Sequence, residues 1–371
     1  MATFQSLFAN DLITIDIGFR YIKIVQIRKK KNNDLTIVNF GIGDTPRGCI
    51  KNGAIKDKER VIAEIKRVMS EHNISAKEAK IVMSGTNIIT RIIMIDKVPA
   101  SEIDTKAWEE IQAYLPINFN DHSVDYKVLG IVNEGNEEKI KIFVTAVAKK
   151  IINSYIEIIQ SLGLKPVSVD IPANSVAKFF QKDIEHKEPE NWARKQKLSK
   201  LNSKTFAVID LGSETTIINI LKDKTPEFNR VLLNGSSNID VAIFKALNLE
   251  QNQMDKAERY KKSYGIVRYK DPNNELEWSC SEAAKSVMLD VVRNIKMCIE
   301  FYMTKCAGEQ LSKVYIIGGG SKLKGIREFF EDTLGIPVYP INSISVEGVE
   351  FTSGLDTDRV NFLINAMGIA L

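Results

Sequence analysis

Two stretches far apart in the chain share one form. Residues 12–27, LITIDIGFRYIKIVQI, are an apolar run, a turn carrying Asp16 and Gly18, and a second apolar run. Residues 206–221, FAVIDLGSETTIINIL, repeat that form with Asp210 and Gly212 at the turn. β-Branched apolar runs on either side of a glycine turn predict a β-hairpin. Asp-x-Gly alone recurs easily by chance; its recurrence inside strand–turn–strand on both sides of a charged segment does not. The pair therefore predicts an internally duplicated α/β chain with one site shared between its halves. At 371 residues the chain is too long for one compact core and suits two.

The rest of the pattern fills in around the hairpins. Strands are expected at 12–18, 21–28 and 35–42, with RKKKNND as a solvated turn before the last, then a helix at 57–73 and a strand at 80–85. Residues 88–165 read as a separable unit: the strand IITRIIMID, a helix through KAWEEIQAYL, the strands DYKVLGIV and KIKIFVTAVA, and a closing helix KKIINSYIEIIQSLG. A small sheet covered by helices on one face would bury that pattern. Residues 181–205, charged and poor in aliphatics, form the best boundary before the second hairpin, and a charged surface helix flanked by loops is compatible with that reading.

Composition removes other classes. A net charge of +4 gives no global basic field for nucleic acid. No apolar run approaches the ~20 residues of a membrane span, and MATFQSLFAND lacks the basic and apolar regions of a signal peptide. Cys49, Cys280, Cys298 and Cys306 make no Cys-x-x-Cys pair, and His72, His122 and His186 have no metal spacing. The expected location is a reducing cytoplasm.

The turns suit a nucleoside triphosphate. Backbone N–H groups reach phosphate oxygens only where glycine lets the chain approach, and a carboxylate positions Mg²⁺ through its water shell. Asp16 and Asp210 are the candidate metal carboxylates; Gly18, Gly212 and Ser213 open the loops, and Thr215 or Thr216 adds a hydroxyl. VYIIGGGSKLKGIREFF places Gly318, Gly319 and Gly320 between a strand and a helix, which sets bare backbone against a ligand or simply makes a tight turn. Glu258 and Lys261, three apart in AERYKKSYG, bracket a ribose or adenine edge or form a surface ion pair. Gly235 and Lys322 complete the candidate set.

These elements, in this order, resemble the actin, Hsp70 and hexokinase superfamily, with Asp16-Ile17-Gly18 as its first phosphate loop, Asp210-Leu211-Gly212 as its second and Gly318–Gly320 as its adenosine loop. Within it the chain most resembles the PilM family of type IV pilus assembly. DKVPASEIDTKAWEEIQAYLPINFNDHSVDYKVLG and AVAKKIINSYIEIIQSLGLKPVSVDIPANSVAKFF carry the most specific part of that likeness. The resemblance implies an actin-like ATPase fold of duplicated ribonuclease H-like lobes with an inserted FtsA/PilM-type subdomain. Residues 1–87, 166–204 and 352–371 would then be subdomain 1A and 88–165 subdomain 1C; 205–242 with 286–351 would be 2A, and 243–285 would be 2B. It implies ATP or ADP with Mg²⁺ in the cleft. It implies a groove between the inserted unit and the first lobe for the N-terminal tail of a PilN-like inner-membrane protein. Contact with pilus assembly ATPases and self-association belong to the same implied picture, at the inner face of the cytoplasmic membrane through that partner.

The sequence departs from the family at two places. PilM-like first loops carry small hydroxyl residues after the glycine and then a lysine. Here Lys23 is kept, but Phe19, Arg20 and Tyr21 replace the small residues. Arg20 either supplies phosphate-matching charge or is solvent-exposed. Actin-like ATPases also place a Glu or Gln near the strand-to-helix junction to orient the attacking water. In VSVDIPANSVAKFF the residue before Pro172 is Ile171, and Asp170 faces the other way in strand alternation. Slow hydrolysis is the expectation, a loop for holding rather than for turnover. A sugar- or acid-kinase signature does not stand out. An FtsA-like division scaffold and a nucleotide-free scaffold are the competing readings. The chain ends SGLDTDRVNFLINAMGIAL without the linker and amphipathic helix typical of FtsA, and that last helix is expected to be core, crossing back under the first lobe.

Overall fold

The structure is a computed structural model. It describes residues 11–30, 34–182, 184–185, 204–305, 309–341, 345–346, 348–353, 355 and 359–371. Most of the charged boundary 181–205 lies outside the described residues, as do Cys306, His186, the first ten residues and the middle of the RKKKNND turn.

Strands β1 (Asp11–Ile17), β2 (Tyr21–Lys29) and β3 (Leu35–Asp44) form an antiparallel meander in which Asp16 stands opposite Lys23. Every residue of β1 is buried, because this strand lies inside its sheet and is covered on both faces. A short hairpin of β4 (Ile50–Lys51) and β5 (Ala54–Ile55) leads to α1 (Lys58–Glu71). The Asp57 carboxylate starts that helix by accepting from the Arg60 N–H at 3.1 Å, and Val61, Ile65 and Val68 form its buried stripe. Strand β6 (Glu78–Val82) then runs parallel to β1.

The inserted unit follows. Strands β7 (Ile89–Asp96), β8 (His122–Glu134) and β9 (Glu137–Ala148) make a separate antiparallel sheet in the order β7-β9-β8. Helix α2 (Ile103–Tyr114) covers one face, burying Ala107 and Ile111 against Ile93, Ile95, Ile140 and Ile142. The expected closing helix, α3 (Lys149–Ser161), does not complete this small core. Its Tyr155, Ile158 and Ile159 pack with Ile13, Ile15, Val61 and Ile65. The apolar stripe of α3 therefore belongs to the first lobe, so the separable part stops near residue 148. The unit also reaches across to the second lobe: nearly buried Lys141 pairs with Glu227, and the Thr90 hydroxyl donates to the Asn229 side chain at 3.2 Å.

Strand β10 (Lys165–Asp170) joins β6 in parallel, and α4 (Pro172–Gln181) leads to the short strand β11 (Ile184–Glu185). Then the pattern repeats. Strands β12 (Thr205–Leu211), β13 (Thr216–Lys222) and β14 (Thr225–Leu232) form the second meander, followed by helices α5 (Ser237–Ala246), α6 (Met254–Tyr264) and α7 (Glu275–Lys305). Strand β15 (Lys313–Ile317) runs parallel to β12 as β6 does to β1, and α8 (Ile326–Leu334) and β16 (Val338–Pro340) complete this lobe. Asp16 and Asp210 each sit one residue before the end of the matching strand.

The chain returns to the first sheet earlier than the sequence division implied. Strands β17 (Ser345–Val346) and β18 (Val349–Phe351) fell within the range assigned to the second lobe, yet β18 pairs in parallel with β3, Val349 opposite Leu35. Strand β3 would otherwise leave an unpaired edge, and β18 supplies its hydrogen-bonding partner. The last helix, α9 (Val360–Gly368), is core as expected: Leu363, Ile364 and Met367 pack with Val25 and Ile27 of the first lobe and Phe206 and Val208 of the second. Among the described residues no helix is long and apolar enough to cross a membrane.

At Gly368 the backbone of α9 touches that of α4, where a Cβ would run into the Ser175 carbonyl. Gly368→Ala is expected to force the two helices apart and cost about 1–3 kcal/mol, the usual range for overpacking. Urea unfolding of the variant against the parent measures it.

Candidate functional site

The two hairpin turns face each other across a cleft of about 680 Å³, a volume in the range of small-molecule sites. At its base lie three charges. Lys23 Nζ donates to Asp16 Oδ2 at 2.7 Å, and Asp210 faces the same ammonium from the other lobe while accepting from Asn365 Nδ2 at 2.9 Å. Burial works against the Lys23 charge, but Asp16 and Asp210 outweigh it and raise its pKa. Burial is also the largest influence on Asp210 and pushes its carboxyl up; Lys23 and Asn365 oppose that, and the Asp16 charge adds to it.

This donor set fits Mg²⁺ and phosphate. Two carboxylates offer the hard oxygen ligands that Mg²⁺ takes in ones and twos beside phosphate and water oxygens, and the lysine offers a point charge for a phosphate. Among the described residues no three His, Cys, Asp or Glu side chains converge on a metal cage. A cation held by Asp16 and Asp210 would thus take its remaining ligands from water and the nucleotide. Gly318 shows how close the backbones come: its φ is +80°, and a Cβ there would run into the Asp210 carboxylate.

Most sequence candidates converge on this cleft. Gly18, Gly212, Ser213 and Thr215 line it beside the two aspartates, as do Gly318, Gly319, Gly320 and Lys322. Thr216 and Gly235 do not. The Thr216 hydroxyl is buried and donates to the Asn234 carbonyl at 2.7 Å, so of the two threonines Thr215 is the one on the cleft wall. Gly235 sits behind the second loop, where a Cβ would strike the Ser213 carbonyl. That packing lets the Ser236 and Ser237 N–H groups donate to the carbonyls of Gly212 and Ser213, each at 2.9 Å, which fixes the loop.

Arg20 is neither free for phosphate nor simply solvated. Its guanidinium spans the cleft mouth to Glu258 of α6, at 3.2 and 3.3 Å, and lies 3.4 Å from Asp44. Arg47 makes a second bridge between the lobes, to Asp255 at 2.7 Å. Glu258 and Lys261 line the cleft but do not pair with each other. Glu258 takes Arg20 and Lys262, while Lys261 donates to Asp240 at 2.8 Å. The junction before α4 agrees with the sequence reading. Ile171 is buried in the first-lobe core, and the Asp170 carboxylate accepts from the Ile171 N–H, Asn174 and Lys178.

Sequence reading missed Glu214, Asp240, Ser236, Phe362 and Asn365, all of which line the cleft. The signal for Glu214 is local, an acid between Ser213 and Thr215 in the second glycine turn. Phe362 and Asn365 arrive on α9, and only the return of the chain between the lobes brings them there.

Comparison with known proteins agrees with this geometry. A family model described as type IV pilus assembly protein PilM matches residues 14–371. The chain belongs to the PilM family. Among solved structures, the PilM–PilN type IV pilus biogenesis complex superposes with a TM-score of 0.75 at 23% identity, covering 97% of each chain. Ethanolamine utilization protein EutJ from Carboxydothermus hydrogenoformans gives 0.52 at 13%, over 99% of this chain and 93% of that one. MreB5 of Spiroplasma citri bound to AMPPNP gives 0.52 at 11%, over 97% and 95%. No curated protein matches the chain. The PilM-family fold here is therefore the actin-like one, with the inserted three-stranded unit in place.

Proposed function

We propose that this PilM-family chain is an actin-like adaptor of type IV pilus assembly that holds Mg²⁺–ATP or Mg²⁺–ADP between its lobes. The adaptor takes the N-terminal tail of a PilN-like inner-membrane protein in a groove between the inserted unit and the first lobe. The convergence of Asp16, Lys23 and Asp210 under three glycine-bearing turns carries the nucleotide reading. Family membership supports the pilus role, and the similar fold of a PilM chain in a complex with PilN supports the partner. In this reading the protein works in the cytoplasm, at the inner membrane face through its partner.

When bound, Mg²⁺ would neutralise phosphate charge in the cleft. The chain's own residues do the rest. Asp16 and Asp210 hold the cation's shell, Lys23 faces a phosphate, Thr215 offers a hydroxyl, and the backbones of Gly212 and Gly318–Gly320 admit the ligand closely. Arg20–Glu258 and Arg47–Asp255 close the mouth. With Ile171 buried, turnover is expected to stay below ~1 s⁻¹, the low end for enzymes. Steady-state phosphate release measures it, and rates at or above that level would contradict a holding site. The tail reading is tested by titrating the protein with that tail.

A further inference from the structure

The carboxylates lining the cleft belong to Asp16, Asp210, Glu214, Asp240, Asp255 and Glu258. Five of them are engaged: Asp16 with Lys23, Asp210 with Asn365, Asp240 with Lys261, Asp255 with Arg47, and Glu258 with Arg20 and Lys262. Glu214 is different. Among the described residues it makes no hydrogen bond or ion pair, and only the charge of Lys51, across on β4 of the first lobe, acts on it. It stands on the second hairpin turn, between Ser213 and Thr215, and lines the same cleft as Ser84 and Pro172 of the first lobe. A half-buried acid left without a partner in a polar cleft has its lone pairs available to water or ligand.

The strand–helix junction of the first lobe has no free acid to offer. Ile171 is apolar and buried, and Asp170 is consumed by the start of α4. We infer that Glu214 is the catalytic carboxylate that orients and deprotonates the water attacking the terminal phosphate of a bound nucleoside triphosphate. The role has moved from the strand–helix junction of the first lobe to the phosphate loop of the second. The inference rests on the nucleotide reading above.

The step balances within the site. The water oxygen forms a bond to the γ-phosphorus, and its proton passes to a Glu214 carboxylate oxygen. The bond between the γ-phosphorus and the β–γ bridging oxygen breaks, and the electron pair leaves with the nucleoside diphosphate. Partial burial raises the Glu214 pKa despite Lys51, in the direction that makes a carboxylate a better base.

The test uses the full chain with Mg²⁺–ATP. Calorimetry gives the ATP Kd, and single-turnover hydrolysis of γ-labelled ATP gives the chemical step, for the parent, Glu214→Gln and Glu214→Asp. Glu214→Gln is expected to slow hydrolysis about 10²-fold, the usual share of a general base, with ATP affinity held within about threefold. Glu214→Asp, which keeps the carboxylate, is expected to recover part of that loss. Three results overturn the assignment: equal rates in parent and Glu214→Gln, ATP bound by the parent but never cleaved, or Glu214→Gln binding ATP about tenfold tighter with no loss of rate, which would make Glu214 a charge gate. If the parent binds no ATP, the nucleotide reading itself fails, and the role of Glu214 fails with it.

Discussion

Asp210→Ala is expected to abolish Mg²⁺-dependent nucleotide binding. Asp210 is the carboxylate at the second strand end, half-buried in the cleft wall, and faces Lys23 and Asn365. Removing it takes away one metal oxygen and leaves the buried Lys23 ammonium balanced by Asp16 alone. Charged hydrogen-bonded contacts are worth about 1.5–3 kcal/mol each, so losing one carboxylate from the cation's shell corresponds to at least ~10-fold in Kd. Calorimetric titration with Mg²⁺–ATP reads this; unchanged affinity would mean that the second loop is not a phosphate loop. A pH dependence accompanies it. The Asp210 carboxyl is held above the ordinary aspartate range by burial, and only its ionised form, dominant above that raised pKa, can serve a cation. Mg²⁺–nucleotide affinity should therefore weaken as pH falls, and begin to do so above the pH at which an exposed aspartate would titrate.

The duplicated hairpins were legible because both halves of the pattern are local: an apolar strand, an acid, a glycine and a return strand. The paired registers Asp16–Lys23 and Asp210–Ile217 are what such a reading implies. What sequence could not show was where an apolar stripe would be spent. Helix α3 has the spacing of a covering helix, but spacing does not say which sheet it covers, and its Tyr155 belongs to the first lobe. The same limit applies to Arg20. A guanidinium beside a phosphate loop reads as a phosphate ligand until a helix 238 positions away brings Glu258 to it. Strand β18 is three residues long, too short for a periodic signal, and its partner β3 lies more than 300 positions earlier.

Replacing residues 88–148 with a short connection, keeping α3, is expected to abolish binding of the PilN-like tail and leave nucleotide binding in place. The cut stops at 148 because α3 supplies Tyr155, Ile158 and Ile159 to the first-lobe core. The variant should also carry Glu227→Gln, since removing Lys141 would leave a nearly buried carboxylate without its ion pair. Extended tails bind such grooves through a few anchored side chains while backbone groups pair with the protein, so losing one wall removes most of the contact. Retained ATP binding reports that the lobes still fold. Tail binding that survives the deletion would place the tail's site elsewhere on the chain.

The most direct measurement is a calorimetric titration of the intact protein with the N-terminal cytoplasmic peptide of the PilN-like protein from the same organism. A membrane tether raises local concentration, so modest affinity suffices. The account predicts saturable binding at submillimolar peptide, lost when the peptide's apolar anchors are changed to Asp. No binding of the intact protein in that range would contradict the adaptor role and leave an FtsA-like scaffold as the better reading of the same fold.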